Sequence, residues 1–364
     1  MILSSLDISG FRNIKQLSIK PHTGLNLITG TNGSGKSTIL EAIHCLATGH
    51  SFRTRKPREL ISHEEQFYRL TASFSDSETK REHRAGLERS RDGGITLRLD
   101  FEAINSQSEI TRLLPVKTLT PDSHQLIQEG PELRRQFLDW GLFHVEHTYL
   151  DSWKKYKRSL SQRNQLLREQ SSDRDIEIWN TPLSDSAENI NELRHAYVLE
   201  LADALKLRLL EMDVKFHVEL RYRSGWDTTN PFIEVLASNL ITHRRIKTTT
   251  DGPHRAEIII TVGESTAKQV LSRGEQKVLV YALHLAQLDL LHNKTDSRAI
   301  VLCDDLTSEL DNFHTKALID QLFVLGGQIF VTGVDLTILS TYEHGMFHME
   351  HGNIERDYNQ VLTT

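Results

Sequence analysis

Two cysteines, Cys45 and Cys303, are all that 364 residues contain, and each lies inside an apolar segment. A disulfide framework is therefore not expected, and a reducing cytoplasm is the compartment that fits. Long apolar runs are missing as well. A stretch such as Val278–Leu283 falls far short of the roughly 20 residues needed to span a bilayer, so no membrane association is expected. The opening residues Met1 to Asp7 lack a basic start and a cleavage site, so no signal peptide is expected. The 18 histidines include no pair at convincing metal-ligand spacing; His44, His195 and His284 read as ordinary helix residues. There is no internal repeat and no low-complexity tail. Nor is there an excess of positive charge: the formal net charge is −6, which taken alone argues mildly against a nucleic-acid partner. Net charge says nothing about local patches, however, and several basic clusters are present.

What is present is an ordinary globular composition, 38% hydrophobic and 25% charged, at a length that suggests two domains or one domain with a large insert. Residues 1–30 read as three strands, Ile2–Ser9, Ile14–Ile19 and Leu25–Thr29. A helix follows from about Gly35 to Ala47, then a polar, basic loop over 50–65. Segments near 68–76, 82–89 and 95–101 carry strand signals, and from about 122 the pattern turns helical. Leu150, Trp153, Leu160 and Leu167 mark one helix. Leu193, Tyr197, Leu201, Leu205 and Leu209 mark a second, from about Ser184 to Met212. The polar linker Gln170–Pro182 makes this a helical hairpin, too short for a coiled-coil arm of many heptads. Strands return at Phe216–Tyr222 and Ala256–Val262, and a nearly all-apolar helix, roughly Gly274–Leu291, is expected to be buried. Strand Ala299–Cys303, helix Asn312–Leu325 and strand Gln328–Thr332 then alternate in the grammar of a parallel α/β sheet.

Three segments carry chemistry. Gly30-Thr31-Asn32-Gly33-Ser34-Gly35-Lys36-Ser37-Thr38 matches the phosphate-loop pattern G-x-x-x-x-G-K-[ST] in full, between an apolar strand and a helix. Its glycines let the backbone curl so that N–H groups point at phosphate oxygens, and the helix N-terminus adds partial positive charge. Lys36 is placed to reach the β- and γ-phosphates, and the Ser37 hydroxyl to ligate Mg²⁺. A glycine-rich turn that binds nothing is the bland alternative; the complete motif in its required context outweighs it. The second segment, Ala299-Ile300-Val301-Leu302-Cys303-Asp304-Asp305, is an apolar strand ending in two carboxylates. That suits a metal site at the carboxyl edge of a parallel sheet. Asp304 would hold Mg²⁺, directly or through water, and Asp305 sits where a general base could polarise the attacking water. Its alternative is an Asp-rich helix cap. The third segment, Leu271-Ser272-Arg273-Gly274-Glu275-Gln276-Lys277, opens the apolar helix. It is a second anion site or a plain N-cap at Ser272.

The order of these segments, with Ser272 standing 32 residues before Asp304, resembles the ABC ATPase superfamily. Thr307-Ser308-Glu309-Leu310-Asp311 looks like its D-loop, and Thr332 stands where ABC transporters usually carry a switch histidine. Finer stretches resemble the RecF family of bacterial DNA replication and repair ATPases. These are Leu6-Asp7-Ile8-Ser9-Gly10-Phe11-Arg12-Asn13-Ile14, Leu46 to Thr54, Pro131 to Asp139, and Asp251-Gly252-Pro253-His254-Arg255. Two positions depart from that family: Glu257 replaces a common aspartate, and Glu275 a usual glutamine. The resemblance implies an α/β ABC-type ATPase head built from 1–115 and 296–364, and a mostly helical second lobe, 116–295, carrying the hairpin and the signature. It implies ATP and Mg²⁺ as cofactors, with Lys36, Asp304 and Asp305 catalytic and Ser37 and Asp304 on the metal. Nucleotide contacts would come from Gly30 to Thr38, Arg12, Asn13, Ser272 and Gly274. It also implies a homodimer that closes on two ATPs and binds single- and double-stranded DNA at gaps and junctions. Such a dimer would help RecO and RecR load RecA recombinase and contribute to the SOS response. Many superfamily members carry glutamate at the position of Asp305. The side chain here is one methylene shorter, so slow, DNA-stimulated hydrolysis is expected.

DNA phosphates need local cations. Arg53, Arg55, Lys56 and Arg58 are the leading cluster. Lys154, Lys155, Lys157 and Arg158 form a second, and His243, Arg244, Arg245 and Lys247 a third. A solvated basic face is the alternative for each. Arg134 and Arg135 are expected to stabilise a lobe interface. Two other functions compete: a transporter-type ABC subunit, against which the RecF-like stretches and long helical insert argue, and a non-hydrolysing DNA clamp, against which Lys36, Asp304 and Asp305 argue.

Overall fold

The computed structural model describes residues 1–76, 80–325 and 327–360, with the side chains of 308, 309 and 356–360 outside that description. The chain forms two compact units, Met1–Ser123 with Lys277–Thr364, and His124–Gln276.

In the first unit, a six-stranded antiparallel sheet runs in the order Ile14–Ile19, Ile2–Phe11, Phe67–Ser75, Glu82–Ser90, Ile95–Leu99, Glu102–Ile104. Along Ile2–Phe11, Leu6 and Ile8 are buried while Asp7 and Ser9 are exposed, the period-two pattern of a half-buried strand. The register slips between Leu3 and Ser5, and this bulge lets Leu3 and Leu6 share the buried face despite their odd spacing. A second sheet runs Asn353–Gln360, His344–Glu350, Leu25–Gly30, Ile329–Gly333, Ile300–Cys303, Val116–Leu119, and only the Asn353–Gln360 edge is antiparallel. All of Ile300–Cys303 is buried, as a parallel strand covered on both faces requires.

The helix Lys36–Thr48 packs against strands of both sheets. Its Ile39, Leu40, Ile43 and Leu46 join Leu6, Ile8, Tyr68 and Phe330 in one core, each large aliphatic contributing about 1.5–3 kcal/mol of burial. Gly49 ends the helix in a left-handed conformation (φ 80°), donating its N–H to Cys45 O. The registers place the carboxyl ends of Leu25–Gly30, Ile329–Gly333 and Ile300–Cys303 side by side. Phosphate loop, acidic pair and Thr332 therefore converge on one sheet edge.

The boundaries differ from 115/116 and 295/296. Val116–Leu119 hydrogen-bonds along Ile300–Cys303, and Lys117 Nζ donates to Gln287 Oε1 at 2.5 Å. Those bonds tie residues 116–123 and most of the helix Arg273–Thr295 to the phosphate-loop unit.

The second unit contains helices Pro131–Val145, Tyr149–Glu169 and Asn180–Glu211, the last two forming the hairpin. A small antiparallel sheet runs Ser265–Thr266, Glu257–Val262, Val218–Arg223. The second arm begins at Asn180 rather than Ser184, because Pro182 falls in its first turn, where no backbone N–H has a helical acceptor. The linker itself holds a short helix, Asp173–Glu177, capped by the Ser172 side chain accepting from Asp175 N–H. Two buried arginines anchor this unit. Arg194 donates to Asp139 Oδ1 (2.6 Å), Pro253 O (2.7 Å) and Tyr149 Oη (3.1 Å). Arg163 donates to Asn180 Oδ1 (2.8 Å) and Thr249 Oγ1 (2.7 Å). The Asp251–Arg255 stretch is fixed at several points: by Arg194, by His254 lying between Tyr156 Oη (2.5 Å) and Thr249 O (3.1 Å), and by His243 at 2.9 Å from Asp251. Arg134 pairs with Glu257 (2.7 Å) and Arg135 donates to Ala256 O (3.0 Å). Both bonds stay inside the helical unit, so these two arginines brace its sheet rather than a lobe interface.

Candidate functional site

The chain must turn sharply after Gly30. Gly30, Gly33 and Gly35 have φ of 145°, 81° and 113°, values that side chains with a Cβ avoid. A Cβ on Gly30 would also collide with the Met349 carbonyl. Lys36 bends back over this turn and donates to Gly30 O (2.8 Å) and Thr31 O (2.9 Å). Burial lowers its pKa, against the opposing pull of Asp305 and Asp304. Asn13 clamps the loop from the side, with Nδ2 3.4 Å from Gly33 O and Oδ1 accepting from Thr38 Oγ1 at 3.0 Å.

Ser37 Oγ donates to Asp304 Oδ1 at 2.6 Å, and Thr332 Oγ1 donates to the same oxygen at 2.8 Å. Thr332 Oγ1 in turn accepts from Asp305 N–H at 2.9 Å. Asp305 adopts a left-handed φ of 50°, which turns the chain immediately after the acidic strand. A serine hydroxyl and a carboxylate beside the loop are oxygen donors of the kind that a hard divalent cation takes. The three glycines and the helix N-terminus form an anion cradle. The buried Ser34 Oγ has no hydrogen-bond partner among the described residues. These residues fit a nucleoside triphosphate with Mg²⁺.

An open cleft of about 750 Å³ extends from the loop. Arg12, Asn13, Asn32, Gly33, Gly35 and Lys36 to Thr38 line it, together with Asp304, Asp305 and Thr332. Arg12 reaches it tethered, gripping the buried Glu41 at 2.7 and 3.0 Å. Arg53 and Arg58, expected on DNA, line the same cleft, and Arg53 lies 3.7 Å from Glu41. Lys56 pairs with Glu59 at 3.3 Å, while Arg55 is exposed and makes no ion pair among the described residues. All four cations are exposed, two of them on the rim of the cleft. Glu59, Ile61, His63 and Arg91 also line the cleft and were missed by sequence reasoning. Arg91 is set by donating to Glu65 O (2.7 Å) and Ser62 O (2.8 Å), bonds to a distant turn that no local motif marks.

Ser272 and Gly274 are exposed at the start of Arg273–Thr295, within the helical unit. Ser272 donates through its N–H (2.8 Å) and Oγ (2.7 Å) to Glu275 Oε2, and Oγ accepts from Glu275 N–H at 3.4 Å. This is a reciprocal capping box. The Ser272 hydroxyl and amide hold the Glu275 carboxyl below its usual pKa. Glutamate in place of glutamine thus engages the hydroxyl within its own turn. In the D-loop-like segment, Thr307 donates to Asp335 O (3.2 Å) and Asp311 caps the next helix by accepting from His314 N–H (2.8 Å). The side chains of Ser308 and Glu309 lie outside the described residues.

Thr332 is buried, so Thr332→Val removes the hydroxyl that accepts from Asp305 N–H and donates to Asp304. A loss of about 1–3 kcal/mol in urea-unfolding stability is expected. Thr332→Ser, which keeps the hydroxyl, should lose less; equal losses would mean that the methyl packing, not the hydroxyl, matters.

Comparison with known proteins extends this picture to the whole chain. Residues 2–354 match the RecF/RecN/SMC N-terminal domain family. The DNA replication and repair protein RecF of Shewanella frigidimarina (strain NCIMB 400) is 39% identical over 356 residues, covering 97% of this chain and 98% of that protein. That of Shewanella woodyi (strain ATCC 51908 / MS32) is also 39% identical, with 97% of each covered. The solved structure of the recombination mediator protein RecF with ATP in the RecFOR pathway superposes at a TM-score of 0.89 and 25% identity, over 98% of this chain and 97% of that one. The Smc head bound to the C-winged helix domain of ScpA gives a TM-score of 0.59 at 16% identity, covering 100% and 99%, which is a likeness of fold. With nearly its full length matched both in sequence and in backbone, the chain belongs to the RecF/RecN/SMC N-terminal domain family, among its RecF members.

Proposed function

We propose that this chain is an ABC-type ATPase of DNA replication and recombinational repair, in which ATP draws two copies together on DNA. The observation that carries this reading is the Ser37–Asp304–Thr332 cluster around one carboxylate oxygen, beside a complete phosphate loop. Relatives named for DNA replication and repair, and a RecF structure with ATP, support it. When bound, ATP supplies the γ-phosphoryl group and Mg²⁺ offsets its charge. Ser37 Oγ and Asp304 Oδ1 would turn from each other to the cation. Lys36 would exchange two backbone carbonyls for phosphate oxygens, and Asp305 would accept a proton from the attacking water. Thr332 keeps Asp304 oriented. Asn13 clamps the loop, Arg12 would meet the nucleotide from the cleft wall, and Ser272 and Gly274 would complete the site of a second copy, Ser272 giving up its bond to Glu275.

The DNA is single- and double-stranded, met at gaps and junctions. RecO and RecR are the partners, RecA loading the outcome, and the SOS response its consequence. Among the described residues no helix is long and apolar enough to cross a membrane, in keeping with work in the cytoplasm. Sedimentation tests the reading. A dimer is expected with ATP and gapped DNA, and a monomer without ATP. Persistent monomer under all conditions would remove the dimer switch. Phosphate release by the parent at the rate of Lys36→Arg would instead favour a non-hydrolysing clamp.

A further inference from the structure

We propose that the outward face of the helix Tyr149–Glu169 is a contact for nucleic-acid phosphates, carried by Lys154, Lys155, Lys157 and Arg158. This rests on the DNA-binding reading above and gives it a surface that differs from the leading basic cluster of the sequence. The four side chains are exposed, and among the described residues none forms an ion pair. The other clusters behave differently. Arg53 lies against Glu41, Lys56 against Glu59, His243 against Asp251 and Arg244 against Asp173. Two members of each of those clusters are thus held by a carboxylate within the chain, while no member of the helix cluster is.

Geometry supports the same choice. At about 100° per residue, the four cations fill an arc of about 160°. The buried Tyr149, Tyr156, Ser159, Arg163 and Leu167 occupy the opposite side, so the basic face points away from the core. Lys157 lies over the Trp153 ring, 5.4 Å from its centroid, which steadies its direction. Lys154 and Arg158 are one turn apart, about 6 Å along the axis, close to the advance of two phosphates on one strand at about 3.4 Å each. The helix has two acids, Asp151 and Glu169, and neither pairs with these cations. A membrane surface is a poorer match. Interfacial helices need an exposed apolar face, and no large hydrophobic residue of this helix is exposed.

The test uses the full chain with ATP and labelled gapped duplex, titrated by anisotropy from about 50 to 200 mM salt, the range over which phosphate contacts are most visible. Lys154→Gln/Lys155→Gln/Arg158→Gln removes three cations. The slope of log K against log salt is expected to fall by about 2.7, at about 0.9 per contact. Hydrolysis without DNA should be unchanged. An unchanged slope with binding intact overturns the proposal, as does a slope carried wholly by Arg55→Glu/Lys56→Glu. Loss of binding to phosphatidylserine vesicles without loss on DNA would make this a membrane face and equally overturn it. A parent chain that binds no DNA at any salt would instead sink the DNA-binding reading itself.

Discussion

Lys36→Ala is expected to weaken ATP binding by about 10²–10⁴-fold while leaving the fold intact. The magnitude follows from the number of bonds. Lys36 already satisfies two carbonyls of its own loop, at 2.8 and 2.9 Å, so its ammonium sits where phosphate oxygens would replace them. Hydrogen bonds to charged groups are worth about 1.5–3 kcal/mol each, and two such bonds amount to about two to four decades in Kd. Intactness follows from the electrostatics. Burial depresses the Lys36 pKa despite Asp305 and Asp304, so the folded chain holds this charge at a cost that offsets the loss of its two loop bonds, and only a small change in thermal stability is expected. Titration calorimetry with ATP, paired with a melting curve, separates the two effects. An affinity within about threefold of the parent would mean that the loop amides and Ser37 carry the triphosphate without the lysine.

The phosphate loop was legible because its requirements are local. Positive φ at Gly30, Gly33 and Gly35, a lysine and a hydroxyl all fall within nine residues of one strand–helix turn. The acidic strand was legible because Ile300–Cys303 is apolar throughout and ends in two carboxylates. Val116–Leu119 was not, although it completes the same sheet. It has only four residues, one of them Lys117, and its evidence is a pairing with Ile300–Cys303 that no local window contains. His344–Glu350 and Asn353–Gln360 were missed for the same reason, since their partners lie at Leu25–Gly30 and in each other. Arg53 and Arg58 show a different limit: their density of charge in sequence marks exposed cations, but not that both also line the cleft beside the phosphate loop. Charge runs reveal cations, and only the fold reveals which of them remain unanswered.

Arg194→Met should destabilise the helical unit by about 3–5 kcal/mol, the usual consequence of breaking a buried ion pair from one side. Arg194 is fully buried, and its guanidinium makes three bonds that a thioether cannot: to Asp139, to the Pro253 carbonyl and to Tyr149. Burial alone would weaken its charge; Tyr149 and Asp139 more than offset this and raise its pKa. Trp153 adds a ring face 5.2 Å from the guanidinium carbon. The loss is large against the about 5–15 kcal/mol that holds a typical domain together. It can be read in this unit alone, because all four tryptophans, Trp140, Trp153, Trp179 and Trp226, fall within His124–Gln276. Urea unfolding followed by tryptophan emission should show the full shift. Arg194→Lys, which can still meet Asp139 but cannot span all three acceptors, should lose less. A shift below about 1 kcal/mol for Arg194→Met, within what a repacked apolar side chain recovers, would show that Asp139 keeps its charge satisfied through Tyr149 alone. The Asp251–Arg255 stretch would then owe its position to Tyr156 and His243 rather than to Arg194.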